Sequence, residues 1–405
     1  MKFDVAIVGG GMVGATLAVA LAPLKLRVAI IEAVPHNAAA QPSFDERTTA
    51  LSNGSRRILE TLDIWPAVSA NATPIRKIHV SEQGRFGFAR IDAAEQGLAA
   101  MGYVIPNRAL GSALWSRLQT GPGLQVYCPA EVSRLAANED SVTVHITQAA
   151  GETCLDAKLI VAADGAKSAV RGAFGIDAEV RDYSQTALIT TILPQRFHDN
   201  VAYERFTPSG PLALLPLDGG RCTLVLTLVS EAARLGLGWS DEEFIAEAQR
   251  RFGFRLGRFL KVGPRHAYPL SLTRSSRTSA GRCVIIGNAA QGLHPVAGMG
   301  FNLGLRDVAS LAELIAERAG QVADPGNPEL LAQYDAWRAA DRSGVIGFTD
   351  GLVRMFSNPL SSVRVLRNLG LLAFDLLPPA KAALSRLSTG GSGRVPKLAR
   401  GVALA

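Results

Sequence analysis

A chain of 405 residues, 48% apolar and 19% charged, is long enough for more than one hydrophobic core and has an ordinary globular composition, so disorder is expected only in the last residues. Its net charge of +7 is local, because residues 351–405 hold eight Lys or Arg against one acid, Asp375, and the remainder is balanced. With no basic and aromatic recognition motif, nucleic acid is excluded as a partner, while four scattered cysteines and six histidines without ligand spacing exclude a disulfide framework and predict no metal.

The N-terminal stretch VAIVGGGMVGATLAVALAPL, residues 5–24, carries no charge and imitates a signal peptide or a membrane span. Asp4 in front of it, the glycines inside it and the apolar LRVAIIE behind it argue instead for strand, turn, helix, strand. Gly9, Gly11 and Gly14 then fall where a dinucleotide fold needs a tight turn, a close approach of pyrophosphate and close helix packing. Met12 and Val13 open the helix, whose N-terminus offers N–H groups and a positive dipole to phosphates. Glu32 ends the second strand and can accept hydrogen bonds from both ribose hydroxyls, repelling a 2′-phosphate. NAD and FAD both fit this first unit.

FDERTTALS places Arg47 after an irregular stretch, and YVIPNRALGSAL places Arg108 at a helix start. PAEVSRLAANEDSVTVHI begins a strand around Val132. LIVAADGAKSAVR, residues 159–171, is a buried strand that ends in Asp164-Gly165, a pair that by itself is most often a plain turn. Apolar strands with an Asp218-Gly219-Gly220 turn and a helix over 241–252 predict an antiparallel sheet in residues 181–274, joined by an excursion at 75–99. GRCVIIG is a further strand that delivers Asn288, and HPVAGMGFNLGLRD leads through Pro295, Gly298, Met299 and Gly300 into a helix beginning near Asn302. The chain closes in Leu-rich basic helices from Pro328 onward and a glycine-rich end.

These three junctions, in this order, resemble class A flavoprotein monooxygenases, and the chain is identified as similar to the ubiquinone-biosynthesis hydroxylases over residues 1 to about 350. The resemblance implies an α/β fold like that of p-hydroxybenzoate hydroxylase. A Rossmann-like FAD-binding domain (1–74, 100–180 and 275–340) would carry an inserted antiparallel-sheet substrate domain (75–99 and 181–274) and a helical, basic tail (341–405). It implies FAD contacts from Gly9, Gly11, Met12, Val13, Gly14, Glu32, Arg47, Arg108, Val132, Asp164, Gly165, Asn288 and Asn302. It further implies that the backbone around Pro295, Gly298, Met299 and Gly300 lies against the flavin ring, where side chains would collide with it.

The implied chemistry is hydroxylation of a polyprenylated phenol with NAD(P)H and O2, through a flavin C4a-hydroperoxide. Asn288 and Gln291 stand where most of the family has Asp and His, which favours the branch acting on 2-polyprenyl-6-methoxyphenol; Met299 stands where the family has Gln. His294 is read as positional, since the family carries no fixed triad. A cytoplasmic protein is expected, its basic tail touching the inner face of a membrane or a biosynthetic complex. Rival readings are a dehydrogenase using the first motif alone, a non-oxygenating flavin reductase of an isoprenoid, and a flavin-bearing scaffold.

Overall fold

The structure is a computed structural model that describes every residue except 36, 37, 39, 40, 42–46, 319–323, 358, 359 and 390–392; His36 thus lies outside the described residues. The first lobe is built on a parallel sheet in which Lys2–Val8 lies between Val28–Ile31 and Gly151–Ala162. Cys283–Ile285 continues it on one side and Leu124–Tyr127 on the other. Alternation along the first strand divides its side chains between two faces. Val5 and Ile7 pack under the helices Met12–Leu21 and Met299–Arg318. Ala6 and Val8 pack under an antiparallel hairpin, Glu131–Ala137 with Val142–Gln148. Burial on both faces is why these strands read as continuous apolar runs.

The second lobe is a nine-stranded sheet that takes Lys77–Glu82 and Phe88–Asp92 from the excursion and its other strands from residues 178–275 and 291–292. It is antiparallel except at one place: Val201–Thr207 runs parallel to Lys77–Glu82. Arg76 N–H donates to Asn200 O at 2.8 Å, so both strands set out from the same edge, which corrects the expectation of a wholly antiparallel sheet. Leu212, Leu214, Leu224 and Leu226 point to the face covered by the helix Asp241–Phe252, which docks Phe244, Ala248 and Phe252 there. That helix starts at a Ser240/Glu243 capping box, worth about 1 kcal/mol. The alternate residues, Ala213, Leu215, Val225 and Thr227, face the other way, toward the C-terminal helices.

The helix Pro328–Ser357 passes through position 341 unbroken, so a domain boundary at 340 falls inside a single element. Ser361–Leu376 and Pro378–Thr389 follow it. The glycine-rich end is not slack beyond 392. Trp337 Nε1 donates to Arg394 O at 2.9 Å, Thr61 Oγ1 donates to Leu398 O at 3.0 Å, and Arg394 pairs with Glu313 at 2.9 Å. Among the described residues no helix is long and apolar enough to cross a membrane. All four cysteines are free; Cys222 and Cys283 are buried as a packing role requires, but Cys154 is exposed, its Sγ 3.2 Å from His145 Nδ1.

Candidate active site

The parallel strands end together, and the loops after them carry the glycines and acids singled out in the sequence. The strand order reverses at Lys2–Val8, which has one successor strand on each side; such a switch point opens a crevice at the carboxyl edge. Gly9 has φ +105° and sits so close to the second junction that a Cβ there would lie 2.4 Å from Ala163 O. A Cβ on Gly14 would lie 1.9 Å from Gly9 O, so the turn and the helix behind it close only without side chains. Gly11 caps that helix with ordinary extended backbone, leaving N–H groups of its first turn, around Met12 and Val13, without intrahelical acceptors. Val13 packs against Gly287 and Gly304. Arg171, from the second junction, donates to Ala289 O at 2.9 Å. The three junctions are therefore in mutual contact.

Glu32 reaches back across the strand ends, its Oε2 accepting Gly10 N–H at 2.6 Å and its Oε1 accepting Val34 N–H at 2.9 Å. Trp115 holds the same loop by donating to Gly10 O at 3.2 Å. Ala130 N–H donates to Glu32 O at 2.8 Å, which brings Val132, at the start of its strand, within two residues of that acid. Asp164 Oδ2 accepts Val170 N–H at 3.2 Å, while its Oδ1 is buried with no partner. A buried carboxylate oxygen left unsatisfied is costly, and a ligand hydroxyl is a group that could satisfy it. Gly165 has φ +87° with open space where a Cβ would stand.

Asn302 pins the late glycine segment to the strand Thr48–Ser52. It accepts Ser52 N–H at 2.7 Å and donates to Ala50 O at 2.8 Å and to Gly298 O at 2.7 Å. Both amide protons are consumed, so its side chain positions the loop and only its backbone is left for a ligand. Gly298 has φ +59°. A Cβ on Gly300 would meet no protein atom within 4 Å, and the surrounding first turn of Met299–Arg318 presents unsatisfied N–H groups and a positive dipole. Asn288 is exposed and Pro295 lies at the surface of the loop. Met299 is buried against Leu303 and Val345. Arg47 lies over the Tyr268 ring at 4.3 Å, at the seam of the two lobes, and Arg108 is exposed on the first turn of Asn107–Thr120.

Asp307, which ends the glycine run, proves to be the anchor of this loop. Fully buried, it accepts from Gly287 N at 3.1 Å, Gln291 Nε2 at 2.6 Å and Arg338 Nε at 2.8 Å. Arg338 and Arg306 both pair with Asp341, at 2.6 and 2.7 Å. Burial alone would lower the pKa of Arg338, but Asp307 and Asp341 more than offset it and hold the guanidinium charged. The acid at the end of GFNLGLRD signalled this anchor; its partner, 31 residues on in another helix, left no local trace. His294 is buried, its Nδ1 accepting Val296 N–H at 3.2 Å, and its Nε2 has no partner. Burial pushes its pKa down to about 4, so the ring is neutral with its proton on Nε2. Tyr183 meets it edge-on at 5.2 Å.

Beside the loop lies a cavity of about 640 Å³, ample for an aromatic ring and part of an isoprenoid chain. Ala50, Pro295, Gly298 and Met299 bound it on one side, Ala213, Val225 and Thr227 of the sheet on another, and Phe348, Leu352, Leu371 and Phe374 of the tail helices on a third. Its lining is almost wholly apolar, and Thr227 Oγ1 is buried there without a partner. The tail is therefore a wall of the cavity, and several of its basic side chains are paired within the chain: Arg354 with Asp350, Arg367 with Glu82 and Lys381 with Asp375.

The sequence over residues 2–349 matches the family described as the FAD binding domain. The chain is 40% identical to ubiquinone hydroxylase UbiL of Rhodospirillum rubrum, over 99% of this chain and 93% of that protein. It is 32% identical to the 3-demethoxyubiquinol 3-hydroxylase of Escherichia coli, over 92% of this chain and 94% of that one. Among solved structures it superposes on the p-nitrophenol 4-monooxygenase PnpA of Pseudomonas putida with a TM-score of 0.79, covering 96% of this chain and 98% of that one at 18% identity, which establishes the shared fold. On these relationships the chain belongs to the FAD-binding flavoprotein hydroxylases, in the branch of the ubiquinone hydroxylases.

Proposed function

We propose that this chain hydroxylates the aromatic ring of a polyprenylated phenol in ubiquinone biosynthesis, using NAD(P)H and O2. The observation that carries the reading is the apolar cavity abutting the glycine segment at Pro295, Gly298 and Met299, which can lay a greasy phenol against a planar cofactor. In this reading residues 1–74, 100–180 and 275–340 form the FAD lobe, and residues 75–99 and 181–274 the substrate sheet. Gly9, Gly11, Met12, Val13 and Gly14 cradle the pyrophosphate; Glu32 takes a ribose, with Val132 near the adenine. Asp164-Gly165, Asn288, Arg47 and Arg108 hold the remainder. The backbone of Gly298, Met299, Gly300 and Asn302 meets the ring, where the helix dipole favours negative charge at its edge.

Bound FAD would supply the redox chemistry that NAD(P)H and O2 require. The chain supplies the rest. Its apolar walls exclude water, its loop fixes ring against ring, and Thr227 Oγ1 offers a hydrogen bond to a phenol oxygen. The test is turnover of purified, FAD-loaded protein with a short-chain 2-polyprenyl-6-methoxyphenol and, separately, a demethoxyubiquinol-type ring. A product one oxygen atom heavier, formed in step with NAD(P)H use, is expected. NAD(P)H use that yields a reduced isoprenoid, or no substrate-stimulated use at all, overturns the reading.

A further inference from the structure

The helix Ser361–Leu376 presents Leu371 and Phe374 to the cavity and a second apolar row to the outside. Its polar residues face protein: Arg367 Nε donates to Glu82 Oε2 at 3.0 Å, Asn368 Nδ2 donates to the same oxygen at 2.9 Å, and Asp375 accepts Arg90 N–H at 2.7 Å. Val365, Leu366, Leu369 and Leu376 share the opposite face and are between 51% and 78% exposed. A surface helix ordinarily turns polar residues outward. Phe86, 66% exposed, extends the patch from the neighbouring turn, where Gly87 N–H donates to Asn368 Oδ1 at 3.1 Å. A contiguous apolar face of this kind marks an interaction surface.

Two further observations say what covers it. Leu366, 69% exposed, also lines the cavity, so this face and the cavity wall share a residue. The acids nearest the face are turned inward as well: Asp375, the one acid of residues 351–405, accepts from Arg90 and Glu82 pairs with Arg367, while Arg85, next to Phe86, is exposed and Arg354 pairs with Asp350 at 2.7 Å.

We propose that this face seats on an anionic lipid bilayer and that the isoprenoid tail of the substrate passes from the lipid straight into the cavity beneath Leu366. The second half rests on the prenylphenol reading of the cavity; the first does not. A second copy of the chain would cover the part of the cavity wall that reaches this face, whereas lipid leaves it in contact with dissolved substrate, and anionic headgroups add an attraction for the exposed Arg85. The seat is interfacial, an apolar helix face lying in the headgroup boundary.

The test uses the full-length, FAD-loaded protein and sedimentation with phosphatidylcholine vesicles, with and without about one third phosphatidylglycerol. Leu369 and Leu376 lie on the outer face and off the cavity wall, so Leu369→Glu with Leu376→Glu tests the seat, and Leu369→Ser with Leu376→Ser repeats it without added charge. The parent is expected to partition onto the anionic vesicles, less so at high salt. Both double variants lose about tenfold or more of that partitioning. They keep their flavin and their turnover of a phenol with one prenyl unit in solution, and lose turnover of a long-tailed phenol presented in vesicles. A double variant that binds vesicles like the parent, or a parent that ignores vesicles and forms a dimer which the substitutions dissolve, overturns the proposal. A parent that binds vesicles yet oxygenates no phenol overturns the reading of the cavity and leaves the lipid seat standing.

Discussion

The space at Gly300 separates a ligand contact from a folding requirement. A Cβ at Gly300 meets no protein atom within 4 Å, whereas one at Gly14 meets Gly9 O at 1.9 Å. Gly300→Ala therefore adds a methyl group to open space, which in the proposed reading the flavin ring occupies. Without cofactor, the substitution at the start of Met299–Arg318 is neutral or stabilises by up to about 1 kcal/mol, the helix preference for Ala over Gly. With the ring in place, the methyl overpacks a flat contact, which costs about 1–3 kcal/mol and weakens FAD by about 5- to 150-fold. Gly14→Ala, by contrast, must displace backbone and destabilises the protein with or without flavin. The assay is reconstitution of apoprotein, followed by quenching of FAD fluorescence, alongside thermal melts of both apoproteins. A Gly300→Ala protein that binds FAD as tightly as the parent, with an unchanged visible spectrum, would place the ring elsewhere and refute the reasoning.

Two other outcomes follow from buried charge. Asp307→Ala leaves Arg338, 2% exposed, paired with Asp341 but with no acceptor at Nε, and strips Gly287 N–H and the Gln291 amide of theirs, so it is expected to cost about 3 kcal/mol in urea unfolding; Asp307→Leu with Arg338→Met recovers part of that stability but not flavin retention, because Gly287 N–H and the Gln291 amide still lack their acceptor. Recovery of both would make Asp307 a mere counter-ion. His294 ionises near 4 when folded against about 6.5 unfolded, so as pH falls the unfolded chain takes the proton first and stability is lost between about pH 6.5 and about pH 4, by at most about 3 kcal/mol. His294→Gln flattens this part of the profile and leaves the share of His79, which burial and Arg255 also bring to about 4; an unchanged profile would show that His294 is not buried neutral.

The cradle was legible because its constraints are local. Gly9, Gly14, Glu32 and Asp164-Gly165 each report a turn or a strand end, and the glycine spacing marks Gly14 as a place with no room for a side chain, where a Cβ would lie 1.9 Å from Gly9 O. What escaped depends on partners far along the chain. Asp307 finds Arg338, Asn302 finds Ser52 and Ala50, and Arg76 meets Asn200 to set one parallel strand pair; no periodicity records such meetings. The tail misleads for a different reason. Its leucines and arginines have helical spacing, but which side faces inward is fixed by Glu82 and Arg90 of another lobe.

The C-terminal helices, from Pro328 onward, are fastened at both ends to the first lobe. Arg338 secures them at Asp307, and after the third helix Arg394 and Leu398 secure the chain again at Glu313 and Thr61. They make a closed clasp, and the cavity is enclosed between the clasp and the sheet. Cutting the gene where the family match stops would thus yield a yellow protein with an open-sided, wet cavity, prone to spend reducing equivalents without oxygenating anything. A bulky fusion at Ala405 pulls on the same fastening.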